Sequence, residues 1–250
     1  MKASFQRIIT LTKRNVIEII RDPLSLIFLM GMPLVMEILF YFIFHDLTQQ
    51  FEMKYLAPGI VVFSQAFLSL FAGMLIALDR SSSFLTRLYV TTTKSYEFIA
   101  SYLLALLPIA LIQSIVFFIV GGILDTRLFG VSMLTSILLS IVTSLLFIGI
   151  GILIGSLCNE KSVGGVASIV IAGQSVLSGM WFPIEGLNKG MVTFMKCLPF
   201  KNATDLMQHT LNGISNPFSD FGLPLIILLA YTALVFIVAI IVFRSKMKSK

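Results

Sequence analysis

Six runs of continuously apolar residues set the frame of this chain: 24–44, 57–78, 99–124, 131–157, 163–182 and 223–243. A helix needs about 20 such residues to cross the hydrocarbon core of a bilayer. The second to sixth runs contain no Asp, Glu, Lys or Arg, and the first contains only Glu37. Barrel strands would alternate polar and apolar positions over about 10 residues, and these runs do not. The pattern predicts an all-α, polytopic membrane protein with six transmembrane helices. It also predicts one membrane domain over 1–250, with no second globular unit.

The connections carry patterns of their own. Over 4–21, at 100° per residue, Phe5, Ile8, Ile9, Val16, Ile19 and Ile20 fall on one face, and Arg7, Arg14, Glu18 and Arg21 fall opposite. This predicts an N-terminal amphipathic helix in the membrane interface, basic side towards headgroups or a partner. Pro23 then turns the chain into the first span. Residues 79–98 form a connection longer than most. Phe84/Leu88 and Leu85/Tyr89 stand four apart there, among Arg80, Arg87 and Lys94, a short helix with the mixed character of a docking surface. The third, 183–222, holds Pro183, Pro199 and Pro217 yet is never fully polar. It predicts a helical element re-entering the bilayer between spans five and six, with Asn202 capping a helix over 203–212 and Gly213 ending it.

Small residues recur at i,i+4 in spans four (Gly151, Gly155) and five (Gly164, Ser168, Ala172). Backbones approach closely at such positions, so these two spans are expected to be neighbours or to form a subunit contact. A charge at the bilayer centre costs about 2.5–3.5 kcal/mol on insertion scales. Glu37 must therefore be protonated, paired or facing a polar cavity. It is either a pathway group or an interhelical hydrogen-bonding carboxyl. Gln65, Gln113 and Gln174 are expected to bond across helices.

Composition agrees with the pattern: 57% of the 250 residues are hydrophobic, and only 12% are charged, half the usual share of a soluble domain, about 25%. The net charge of +6 is not a nucleic-acid signal, because its distribution follows membrane topology. With six spans, 13 of the 18 Lys and Arg fall on the side of the two termini. By the positive-inside rule both termini are cytoplasmic. The first run is too long for a signal-peptide core and lacks a small-x-small cleavage site after it, so it is expected to stay. Cys158 and Cys197 fall on opposite sides and are not expected to pair.

No chemistry of its own is evident. There is no G-x-x-x-x-G-K-[ST] loop for ATP and no H-E-x-x-H or Cys/His spacing for a metal, so no cofactor is expected. An embedded enzyme would have to use Glu37, His45 or His209. Gradient-driven carriers place several ionisable groups at the midplane, and here there is one. Energy for uphill movement would have to come from another polypeptide.

Particular stretches resemble the type-2 ABC (ATP-binding cassette) exporter permease family over nearly the whole chain. These are Arg21-Asp22-Pro23 with Pro33, then the loop from Arg80 through Leu85-Thr-Arg-Leu88 to Lys94 and Glu97, then Ser178-Gly-Met-Trp-Phe-Pro183 and Leu198-Pro199-Phe200. Ser81, Ser82 and Ser83 depart from that family, whose members often carry an acid and a glycine there. The resemblance implies a half-transporter: a second permease subunit, identical or a sister, and separate ATPase subunits docking from the cytoplasm. On this chain the docking residues would be Arg7, Arg14, Arg21, Phe84, Arg87, Leu88 and Lys94, and Trp181, Phe182, Pro183 and Pro199 an outer re-entrant gate. The expected function is the permease subunit of an ATP-driven exporter in a bacterial plasma membrane. Few Trp and Tyr beside many Phe favour a drug, antibiotic, peptide or other amphiphile over a polysaccharide or teichoic-acid-type polymer. A non-transporting scaffold or immunity protein is the alternative of another class.

Overall fold

The computed structural model describes residues 2–82, 94–182 and 184–248, and among them every regular element is helical. The helices are α1 (Lys2–Ile20), α2 (Pro23–Phe44), α3 (Met53–Ser81), α4 (Ser95–Leu124), α5 (Val131–Leu157), α6 (Glu160–Leu177), α7 (Lys189–Cys197), α8 (Pro199–Asn212) and α9 (Leu223–Lys248). Five of them, α2 to α5 and the last helix, α9, are long and apolar enough to cross a membrane. The fifth predicted span, 163–182, is cut short: α6 stops at Leu177, and Gly179 at φ +68° takes the left-handed conformation that ends it.

Helix α3 is the centre of the bundle, buried along most of its length and packed against α2, α4, α5, α6 and α8. One end of it meets α1 and the other meets α8, so α1 and α8 mark opposite ends of the molecule. Two apolar cores follow. The one at the α8 end gathers Met53, Ile60, Phe117, Phe147 and Met207. The one at the α1 end gathers Ile19, Leu68, Phe98, Ile152 and Phe243.

Lipid offers no hydrophobic drive between helices, so close backbone packing and hydrogen bonds must hold them. The tightest seam differs from the one expected between spans four and five. Gly151 and Gly155 of α5 face α3: a Cβ on Gly151 would overlap the Ser69 carbonyl oxygen, and one on Gly155 would lie 2.5 Å from the Gly73 oxygen. Gly164, Gly165 and Gly173 of α6 have nothing among the described residues within 4 Å of a Cβ position. The repeat alone shows that a helix can approach closely but not which partner it approaches.

Side-chain amides repair the backbone where prolines interrupt it. Pro33 has no N–H for the Leu29 carbonyl, and Gln113 Nε2 of α4 donates to that oxygen at 3.2 Å. Pro58 leaves the Lys54 carbonyl likewise, and Asn212 Nδ2 of α8 donates there at 3.2 Å, with Gln208 Nε2 on the Tyr55 oxygen at 3.0 Å. Gln65 Nε2 crosses from α3 to the Ser140 oxygen of α5 at 3.0 Å. Gln174, expected to bond across helices, instead reaches Met180 Sδ at 3.9 Å.

Two further boundaries differ from expectation. Asn202 does not cap the helix at 203–212. The helix begins at Pro199, whose missing N–H is harmless in a first turn. Asn202 Nδ2 points back to the Lys196 and Leu198 oxygens, both at 2.7 Å, tying α7 to α8. Gly213 ends α8 at φ +103°, as expected. Helix α1 also buries a different stripe from the one the apolar arc indicates. Asn15 and Ile19 face the bundle, while Phe5, Ile9 and Ile20 are exposed. The inward stripe lies on the seam between the apolar and charged arcs, because both charged and apolar partners await it.

Candidate functional site

The polar centre of the molecule lies where α1 crosses the ends of α3 and α4. Asp79, 2% exposed, stands in the last turns of α3. Its Oδ2 accepts from Arg14 Nη1 at 2.5 Å and from Tyr102 Oη at 2.6 Å, and its Oδ1 accepts from Arg14 Nη2. Arg14 thus grips the carboxylate with both arms of its planar fork. It also pairs with Glu18 at 2.7 Å and donates to Asn15 Oδ1 at 3.2 Å. Asn15, itself buried, reaches Ser101 Oγ at 3.4 Å.

A second node lies two turns earlier on α1. Glu97, fully buried in the first turn of α4, accepts from Arg7 Nε at 3.1 Å, Arg7 Nη2 at 2.9 Å and Ser4 Oγ. It also accepts from the Lys94 backbone N–H at 3.0 Å, the reach-back that closes a helix's first turn. Asp79 and Glu97 flank segment 83–93 from either side, so α1 is fastened to both ends of that connection. Arg80, next to Asp79, turns the other way: its Nη1 donates to the Gly155 oxygen at 2.8 Å and the Ser156 oxygen at 2.5 Å, capping α5. Ser81 Oγ donates to Glu160 Oε2 at 3.2 Å.

The electrostatics of α1 follow from these contacts. Burial pulls the Arg14 guanidinium pKa down, but the hydrogen bonds and charge of Asp79 outweigh it and leave it above the ordinary arginine value. The hydrogen bond to Glu97 raises that of Arg7. Burial, then the nearby Asp79 charge, raise Glu18 above an ordinary glutamate. Removing one member of a buried pair strands the other charge, which is the expensive event.

Of the residues read from sequence as docking groups, Arg7 and Arg14 are committed within the chain. Arg21 is exposed and, with Arg14, Ile17, Glu18 and Asp22, lines a pocket of ≈460 Å³ along the last turns of α1 and the turn that follows it. Lys94 is exposed, 6.0 Å from the Tyr96 ring. Phe84, Arg87 and Leu88 lie outside the described residues. Glu37 is 0% exposed, and neither of its oxygens has a hydrogen-bond partner among the described residues; its Oε1 lies beside Gly121, 3.2 Å from where a Cβ there would stand. At the α8 end, Trp181 packs edge-on against Phe40 at 4.8 Å, and its Nε1 donates to Ser175 Oγ at 2.6 Å. Phe182 lines a polar cavity there, Pro199 opens α8, and Pro183 lies outside the described residues. Cys158 and Cys197 are free thiols. Among the described residues no three His, Cys, Asp or Glu could hold a metal.

Asp79 and Tyr102 escaped the sequence reading. The available signal was an acid placed at the close of an uncharged run, on the side where cations dominate. Pairing it with Arg14, 65 positions away, needs the fold.

A bundle with apolar outer faces and five helices long and apolar enough to cross a membrane defines a multi-pass integral membrane protein. The profile of the ABC-2 type transporter family matches residues 6–212, and the chain belongs to that family. Comparison with curated protein sequences gave no match. The chain is thus a membrane permease component of an ABC transporter. Such subunits are generally non-enzymatic and typically work with an ABC ATPase subunit.

Proposed function

We propose that the chain is half of an ATP-driven exporter in a bacterial plasma membrane, with six spans and both termini cytoplasmic. Support for the sixth span comes from α6. It runs beside α3 from the Ser81–Glu160 bond to the packing of Met180 against Gly59. Residues 59 to 81 of α3 rise roughly 33 Å at about 1.5 Å each, and a bilayer core is about 30 Å thick. A second permease subunit, identical or a sister, completes the pathway. The open small-residue face of α6 at Gly164, Gly165 and Gly173 supports that contact. The α7–α8 hairpin, with Trp181 and Phe182, closes the outer face.

The observation that carries the reading is the double clamp of α1 onto Asp79 and Glu97. Through it, force applied to segment 83–93 by an ATPase reaches α1, α3 and α4 together. Arg7 and Arg14 hold α1 in place, while Arg21, Phe84, Arg87, Leu88 and Lys94 meet the ATPase. The cargo is a drug, antibiotic, peptide or other amphiphile, in keeping with 22 Phe against one Trp and six Tyr.

Co-purification with the ATPase encoded beside the gene tests this. Wild type should retain the ATPase and stimulate its turnover in proteoliposomes. Arg87→Glu with Leu88→Asp should lose both. Retention and stimulation unchanged in that variant, or no ATPase recovered with wild type, would sink the proposal. An ATPase bound without any efflux would mark a scaffold instead.

A further inference from the structure

At the α8 end the bundle holds a cavity of ≈540 Å³, within the range of small-molecule sites, about 300–1,000 Å³. Four side-chain amides line it: Gln50, Asn202, Gln208 and Asn212. Their nitrogens are spent on the backbone. Gln50 Nε2 donates to the Gly179 and Met180 oxygens at 2.8 and 3.3 Å, and Gln208 Nε2 to that of Tyr55. Asn202 Nδ2 serves Lys196 and Leu198, and Asn212 Nδ2 serves Lys54 and Gln208. A backbone carbonyl can only accept, so flipping any of these amides would set oxygen against oxygen. The oxygen of each is therefore left as an acceptor, and no donor among the described residues reaches it.

The charges on the wall balance, with Lys196 and Lys201 against Asp205 and Asp220. Asp220 turns its oxygens to Ser215 N, Asn216 N and Ser219 Oγ. Lys201 is only 6% exposed, a rare state for a lysine, and it gives one hydrogen to Asp205 Oδ1 at 2.5 Å. An ammonium carries three, and no other acceptor among the described residues takes the remaining two. The lining thus combines unfilled acceptors with unfilled donors and no excess of either sign among those four groups. An anion would face the amide oxygens, and a cation would face the two lysines. A hydroxyl suits both, because it donates one hydrogen and accepts at two lone pairs. His209 on the same wall likewise donates through one ring nitrogen and accepts through the other. Tyr55 and Phe182 add ring surface, which suits the C–H face of a sugar ring.

We propose that this cavity binds an uncharged, hydroxyl-rich group, a sugar ring or similar polyol, between the amide oxygens of Gln50, Asn202, Gln208 and Asn212 and the spare hydrogens of Lys201. The group is either the head of a glycolipid or a free sugar, and the two share this chemistry. The proposal rests on the cavity alone, not on the transported cargo or on which protein drives transport.

Two probes separate the sources. The full chain in phosphatidylcholine nanodiscs is titrated with methyl α-glucoside, and saturation-transfer NMR reads its contact with the protein. In a detergent without a sugar head, native mass spectrometry compares retention of monoglucosyl diacylglycerol with that of diacylglycerol. One or both sugar probes should bind saturably, and diacylglycerol should not. Contact with the free sugar identifies a soluble ligand; retention of the glycolipid alone identifies a headgroup. Lys201→Met combined with Asp205→Asn removes the spare donors without stranding a charge, and should weaken binding about tenfold. Ser219 lines the cavity at an exposed position, so Ser219→Trp should block it while helicity stays at the wild-type value. Lys196→Gln, or added salt, should leave the midpoint within about twofold, as no net charge is recognised. Neither sugar probe binding, a tripeptide binding in their place, or sugar binding that both cavity variants leave unmoved would overturn the proposal.

Discussion

Replacing Arg14 with Ala tests the clamp most directly. Asp79 accepts three hydrogen bonds, two from Arg14 and one from Tyr102. Without Arg14, a carboxylate 2% exposed keeps only the phenol. Stranding a fully buried charge costs about 3–5 kcal/mol. The Arg14 side chain is 32% exposed, so water screens part of its contribution and about 2–3 kcal/mol is expected. Asp79→Asn should cost less, about 1–2 kcal/mol, because its amide can still accept from Tyr102. The double variant should cost little more than Arg14→Ala alone, a coupling of about 1–2 kcal/mol. Reversible unfolding of the purified chain in mixed micelles, followed by helicity, measures all three. Additive single effects, with coupling below about 0.5 kcal/mol, would show that the pair does not hold α1 and would refute the argument.

Three other outcomes follow from the packing. Gly151→Leu should separate α3 from α5 and destabilise the bundle by about 2 kcal/mol or more, whereas Gly165→Leu, with nothing within 4 Å, should leave the isolated subunit's stability unchanged; melting temperatures of the two decide it. Gln113→Leu should cost about 1–2 kcal/mol by orphaning the Leu29 carbonyl, and Pro33→Ala should restore most of that by supplying an N–H; a loss unaltered by Pro33→Ala in the same micelle assay would contradict the pairing. Glu18 has its pKa raised in the fold, so the native state binds its proton more tightly than the unfolded chain does. Ionised Glu18 therefore lowers stability as pH rises past the ordinary value of 4.5. Glu18→Gln should stabilise the protein at pH 7 and have no effect below 4.5, which pH-dependent unfolding will show.

Five of the six predicted spans were legible because hydrocarbon demands a continuous apolar run, and that demand is local. Two boundaries moved where a single residue overrode the run: Gly179 stopped α6, and Pro199 started α8 ahead of Asn202. Elsewhere α3, α4 and α9 run a turn or so past the apolar stretch, into flanking polar residues. Partners were not legible. The pattern of Gly151 and Gly155 looks the same whether it faces α6, a second subunit or, as found, α3. Arg14 and Glu18 stood on the expected face, but the acids that recruit α1, Asp79 and Glu97, lie on other helices. Gln113 looked like any buried amide until Pro33 left it a carbonyl to serve. In each case the sequence supplies the chemical need, and only three-dimensional juxtaposition identifies what meets it.

The seam between α3 and α5 has a mechanical consequence. Where Ser69, Ala72 and Gly73 meet Gly151 and Gly155, backbone rests on backbone, and no rotamer there can change to absorb a small slide. Those two helices must travel as a single strut. Shape change during a transport cycle then falls to what borders the strut: the α1–α2 elbow on one flank, and on the other α6, whose glycines leave room to roll.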